Sequence, residues 1–249
     1  MKVQAIIAAA LLSGSGAIVA NAVEITVLST QATEQTYREL LPQFEKSTGH
    51  TVKISYTGTL DVKKRIAAGE FFDMLIMASP DIDAFIASGT LAPGSRVDLA
   101  KSGVGIGVKA GSPKPDISSP EALKKTLLAA KSIGYSTGPS GVYVLSLFDR
   151  LGIADQIKPK LKQTPTGVFV GTITASGEVE IGIQQVSEMS QYPGVDYVGP
   201  LPGDTQKMTI FTSGIAANTK QPEAVKALVK FTTTPSASEA FKKRGMEPG

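Results

Sequence analysis

The sequence predicts an α/β fold of mostly parallel sheets covered by helices on both faces. Short apolar runs alternate with helical patterns along nearly the whole chain, and the alternation comes in two successive sets. One strand, Asp73 to Ala78 (DMLIMA), is apolar enough to be buried on both faces.

In the first set, Glu24 to Ser29 reads as a strand. Glu34 to Lys46 carries Tyr37, Leu40, Leu41 and Phe44 at helical spacing, and Gly49 ends it. Pro42 inside that helix is expected to kink it. Thr51 to Tyr56 alternates as a strand. Leu60 to Ala68 reads as a short helix, with Asp61 and Arg65 paired one turn apart and Gly69 closing it. Ser79 and Pro80 look like an N-cap and first helical residue, opening a helix stopped by Gly89.

The second set begins with a strand at Gly103 to Val108 and a helix from Ser119-Pro120 to about Ala130. Ile133 to Tyr135 is a strand, Gly141 to Leu151 a helix, and Gly167 to Ala175 a further helix. Strands follow at Ile181 to Gln184, Val195 to Val198 and Met208 to Ala216. Helices after Pro222 and over Ser236 to Arg244 finish the chain.

Composition narrows the function. The 249 residues are 42% hydrophobic and 19% charged, enough to bury a core. With no Cys, disulfides and thiolate metal sites are excluded. The net charge of +3 is spread along the chain without a basic, aromatic-rich patch, which argues against a nucleic-acid partner. One His and no spaced carboxylate cluster give no metal site, and no cofactor motif is present. Lys2, the apolar run at 5–12 and Ala20-Asn21-Ala22 read as an export signal over residues 1–22, removed before Val23.

Sheets of this kind bind ligands at the carboxyl ends of their strands. Three such junctions share one chemistry: Ser29-Thr30-Gln31-Ala32-Thr33, Thr57-Gly58-Thr59 and Ser136-Thr137-Gly138-Pro139-Ser140-Gly141. Each leads into a helix whose first amides lack intrahelical partners and favour an anion. Ser and Thr are also ordinary caps, so one junction alone would carry little weight; the three together, with glycines that open the backbone, point to a ligand.

Four stretches, VLSTQATEQTYRELLPQFEKSTG, SYTGTLDVKKRIAAGEFFDMLIMAS, YSTGPSGVYVLSLFDRLGI and GEVEIGIQQVSEM, resemble the periplasmic molybdate-binding proteins of ABC importers over essentially the whole mature length. The resemblance implies a type II binding-protein fold: two α/β lobes, each a mixed, mostly parallel sheet flanked by helices, joined by two crossing strands. Lobe one would hold residues 23–100 and 199–249, and lobe two residues 101–198. It implies a monomer that holds a small anion without a charged partner and delivers it to an inner-membrane ABC permease. By position, Ser29 and the Thr57–Thr59 turn would bind from lobe one, and Ser140 and the Gly141 amide from lobe two. Thr30, Ser136, Thr137, Tyr143 and Gln184 complete the candidate set. A tyrosine donor of the family falls where this chain has Gln185.

SRVDL, GSPKPDIS, YSTGPSGVY, GIQQVSEM and GDTQKMT resemble a branch of the same family that includes aconitate isomerase. A carboxylate ligand would suit Gln184, Gln185 and Arg96, since arginine grips a carboxylate through two parallel hydrogen bonds; the plainer role for Arg96 is a surface ion pair with Asp98. The expected function is capture of a molybdate-like oxyanion or a small carboxylate. The alternative is an isomerase moving an allylic proton on a tricarboxylate, with Tyr143, Glu188 and Lys207 as the available proton-transfer groups.

Overall fold

The structure, a computed structural model, describes residues 22–249; the expected export signal therefore lies, apart from Ala22, outside the described residues. The chain opens with β1 (Glu24–Thr30), α1 (Glu34–Thr48), β2 (Thr51–Thr57), α2 (Thr59–Ala67), β3 (Met74–Ala78), α3 (Ser79–Ala87) and β4 (Val97–Ser102). It continues into a second set: β5 (Val104–Lys109), α4 (Pro120–Ala129), β6 (Ile133–Tyr135), α5 (Pro139–Arg150), α6 (Ala154–Ile157), β7 (Leu161–Gln163), α7 (Val170–Ala175), β8 (Ile181–Gln185), α8 (Val186–Met189) and β9 (Val195–Pro200). It returns through β10 (Thr209–Ile215), α9 (Pro222–Thr232), α10 (Pro235–Lys243) and β11 (Glu247–Pro248).

These strands make two sheets, each flanked by helices. The first has the order β11-β4-β10-β3-β1-β2, the second β7-β6-β8-β5-β9. Where helices connect neighbouring strands the pairing is parallel, as in β1 with β2 and β6 with β7, and β8 also pairs with β6 in parallel. The strands that carry the chain between sheets pair antiparallel: β4 with β10, and β5 with β9. Each sheet is therefore mixed.

Strand alternation buries both faces of the first sheet. Ile25, Val27, Met74 and Ile76 point into a core with Tyr37, Leu40, Phe44, Leu228 and Phe241. Leu28, Leu75 and Met77 point the other way, onto Val62 and Ile82. The second sheet is asymmetric. Val104, Ile106, Ile133, Ile181 and Ile183 pack on Leu127, Leu147 and Phe148. Its other face carries glycine: Gly107 pairs with Gly182, which pairs with Gly134. A methyl at Gly134 would stand 2.9 Å from Ile173 Cδ1, and one at Gly107 2.6 Å from Met189 Sδ. This bare strip lets α7 and α8 lie almost on the backbone of the sheet.

Three local expectations need correction. Arg65 pairs with Glu70 instead of Asp61, which instead accepts a hydrogen bond from Thr57 Oγ1 at 3.1 Å. Ser79 is not a cap: Ala78 holds that position, and the Ser79 hydroxyl turns to Ile210 O (3.2 Å) and Thr212 Oγ1 (2.8 Å). The helix expected from Gly167 starts only at Val170, because Gly167 has a φ of 83°. α1 extends on both sides of Pro42, from Glu34 to Thr48.

Candidate functional site

The two sheets meet at a small cavity lined by residues from both of them. Thr30 comes to it from the end of β1, and Thr57, Gly58 and Thr59 from the end of β2 and the start of α2. From the other side come Ser136, Thr137, Gly138 and Ser140, between β6 and α5, with Gln184 and Gln185 at the end of β8. The starts of α2 and α5 face it with no side-chain cap, so their first amides are not spent on a side chain.

Hydrogen bonding separates free donors from spent ones. Thr30 is buried, and its Oγ1 has no partner in the protein, an unusual state for a buried hydroxyl that faces a cavity. Ser136 Oγ accepts from the Gly138 amide (3.2 Å) and lies 3.3 Å from Ser140 Oγ. Gln184 Oε1 takes the Val170 amide at 2.8 Å, capping α7. Gln185 is buried; with its Nε2 toward Ser102 O and Gly103 O and its Oε1 toward Thr209 Oγ1, all three contacts are 3.0 Å.

Four of the expected residues do not line the cavity. Ser29 is fully buried behind it, bonded to Thr30 O (2.9 Å) and Thr33 Oγ1 (3.1 Å). Gly141 sits in the first turn of α5, where any Cβ would collide with the Ser136 carbonyl oxygen. The Tyr143 hydroxyl donates to Thr205 O (2.7 Å), and Lys207 lies over its ring at 5.5 Å. Arg96 is half exposed and pairs with Asp98 (3.1 Å) and Asp83 (3.4 Å), the plainer of its two roles.

Sequence reasoning did not place Gly167, Val168 and Phe211 at the cavity, and it held Gln31 only as part of the first junction and Glu188 only as a proton-transfer candidate; all five line it. Gly167 follows Thr164-Pro165-Thr166 at the end of β7, a fourth hydroxyl- and glycine-bearing junction that went unseen because β7 is only LKQ. It completes the closure: Gln31 Nε2 donates to Gly167 O at 2.8 Å, and Gly58 lies directly against Thr166 and Gly167.

Glu188, half-buried in α8, is the one ionisable side chain among the described residues that line the cavity. Burial pushes its carboxyl up to about 8, against the opposing pull of the Gln185 amide; nearby Glu34 adds to the rise and Gln184 opposes it. Among the described residues no group of three or more His, Asp or Glu could hold a metal ion, and no helix is long and apolar enough to cross a membrane.

Two mixed sheets closing on a cavity between them define the two-lobed binding-protein architecture. The chain belongs to the bacterial extracellular solute-binding proteins, whose family pattern matches residues 25–247. It is 36% identical to an aconitate isomerase of Pseudomonas sp. over 230 residues, 90% of this chain and 87% of that one. It is 27% identical to the molybdate-binding protein ModA of Azotobacter vinelandii over 245 residues, covering 95% and 94%. A solved structure of the periplasmic molybdate-binding protein of that organism superimposes with a TM-score of 0.75 at 21% identity, covering 90% of this chain and 99% of that one.

Proposed function

We propose that the two lobes close over one small anion, held by Thr30, Gly58, Thr59, Ser136, Thr137 and Ser140 and by the first amides of α2 and α5, while the Thr57 hydroxyl is spent on Asp61. The observation that carries this reading is the lining itself: hydroxyls and helix starts from both lobes, Thr30 Oγ1 without a partner, and no Lys or Arg among the described lining residues. Neutral donors of this kind replace water around a negative guest, and a guest of the wrong shape leaves a donor unpaired at about 1–3 kcal/mol per group. The chain works in the periplasm after loss of residues 1–22, as a monomer, and passes its ligand to an inner-membrane ABC permease. A thermal-shift panel of molybdate, tungstate, sulfate, phosphate, citrate and trans-aconitate tests this. One of these classes should raise the melting temperature in proportion to the logarithm of its concentration. No shift from any of them counts against the reading.

A second reading, an isomerase acting on an unsaturated tricarboxylate, is favoured by two observations. The relative at 36% identity is named for that activity, and a titratable carboxyl lines the cavity. Incubation with cis-aconitate distinguishes the two: formation of the trans isomer requires chemistry, and binding alone leaves the substrate unchanged.

A further inference from the structure

Glu188 stands in the partition between two hollows. It lines the interlobe cavity, and together with Gln31 it also lines a neighbouring hollow bounded by Gln35, Phe169, Tyr192 and Arg244. The residue therefore borders both the interlobe cavity and a polar hollow beside it.

We propose that Glu188 is the group that moves the proton when an unsaturated polycarboxylate isomerises in the cavity, an inference that rests on the second reading above. A Glu188 carboxylate oxygen takes a proton from the CH2 carbon that lies between a substrate carboxylate and the double bond. The C–H bond breaks, and its electron pair spreads through the allylic system into the neighbouring carboxylate. The Glu188 carboxylic acid then returns the proton to the far carbon of the three, and the double bond has moved one position. One proton leaves and one returns, so the balance closes without a co-reactant. The uncapped starts of α2 and α5 face the developing negative charge, the arrangement that stabilises such an intermediate.

The other proton-transfer candidates lie elsewhere. Tyr143 is bound to Thr205, and Lys207 is stacked on Tyr143. Around Glu188, the charged groups are Glu34 at the start of α1 and Arg244 beyond α10. Arg244 is already committed to Glu39 at 3.2 Å. With no cation among the described lining residues, burial pushes the carboxyl up to about 8. That places it near the working pH, where a general acid–base group is most useful.

The experiment uses the mature chain with cis-aconitate, followed by proton NMR, beside the variant Glu188→Gln. The thermal shift by trans-aconitate is read for both. The wild type should form trans-aconitate. The variant should keep its thermal shift while its rate falls at least about 100-fold. A variant that isomerises within tenfold of wild type overturns the assignment and leaves the isomerase reading standing. A wild type that shifts with trans-aconitate yet never isomerises cis-aconitate overturns both. Should the variant fail to fold, the wild-type profile decides: kcat/KM should climb with pH and level off above about 8. A profile flat from pH 6 to 9 overturns the proposal.

Discussion

Ser140 and Gly141 stand side by side in the first turn of α5 with separate tasks. Ser140 lines the cavity with its Oγ 3.3 Å from Ser136 Oγ, and Gly141 lets the turn press against the Ser136 carbonyl. Ser140→Ala should therefore weaken anion binding about tenfold, for one lost hydrogen bond, with little change in the melting point of the free protein. Gly141→Ala should cost about 1–3 kcal/mol in denaturant unfolding, because backbone cannot yield to the new methyl. Glu188 adds a pH signature. Its carboxyl ionises near 4.5 when unfolded and near 8 when folded. The folded chain thus holds a proton that the unfolded chain has lost between those values. This contribution to stability is complete below about 4.5 and is lost as pH rises through about 8. Denaturant midpoints of the wild type should fall from pH 5 to 9 relative to Glu188→Gln; parallel curves would contradict the burial argument. Residue roles were the least legible part of the sequence. Thr30 and Ser29 look equivalent on paper, and only their surroundings leave one hydroxyl free and the other spent. Tyr143 reads as a ligand donor in the sequence, and its hydroxyl is spent on Thr205 O, 62 positions away.

The elements were legible wherever apolar periodicity was strong. α1 and α9 announce themselves through buried side chains at helical spacing, and β3 through an unbroken apolar run. β4 (VDLAKS) and β7 (LKQ) were missed because edge-like, polar segments carry little pattern. Missing β7 hid the Thr164–Gly167 junction. The glycine strip of the second sheet illustrates the same point from the packing side. Gly107, Gly134 and Gly182 sit in separate strands, and their common purpose emerges only when the register brings them together. Gly182→Ala should drive a methyl into Thr174 Oγ1, which is already bonded to Val170 O at 2.9 Å. We expect a loss of about 1–3 kcal/mol and a displaced α7, read by denaturant unfolding and near-UV circular dichroism. An unchanged midpoint would show that α7 is free to move.

At the scale of the whole molecule, the chain passes between sheets twice, near Gly103 and over residues 201–208, and two glutamines tie these passages together. Gln206 Oε1 accepts from the Val104 amide at 2.7 Å, and its Nε2 donates to Val104 O at 2.9 Å. Gln185 spans Ser102, Gly103 and Thr209. These are the places where a hinge must flex if the lobes open and close, as two-lobed binding proteins do. Closure brings Gly58 against Thr166 and Gly167, so Gly58→Ala should prop the lobes apart. Small-angle scattering should then show no compaction with ligand in the variant, against clear compaction in the wild type. The two-set rhythm of the sequence anticipated two sheets, but the interlobe contact is tertiary and has no local sequence pattern.

The most direct test is amide chemical-shift mapping of the 15N-labelled chain titrated with trans-aconitate and, separately, with molybdate. The account predicts that whichever anion binds will move the amides of Thr30, Gly58 and Thr59 together with those of Thr137, Gly138 and Ser140. Shifts confined to one of these two groups, or centred on a hollow remote from both, would contradict it.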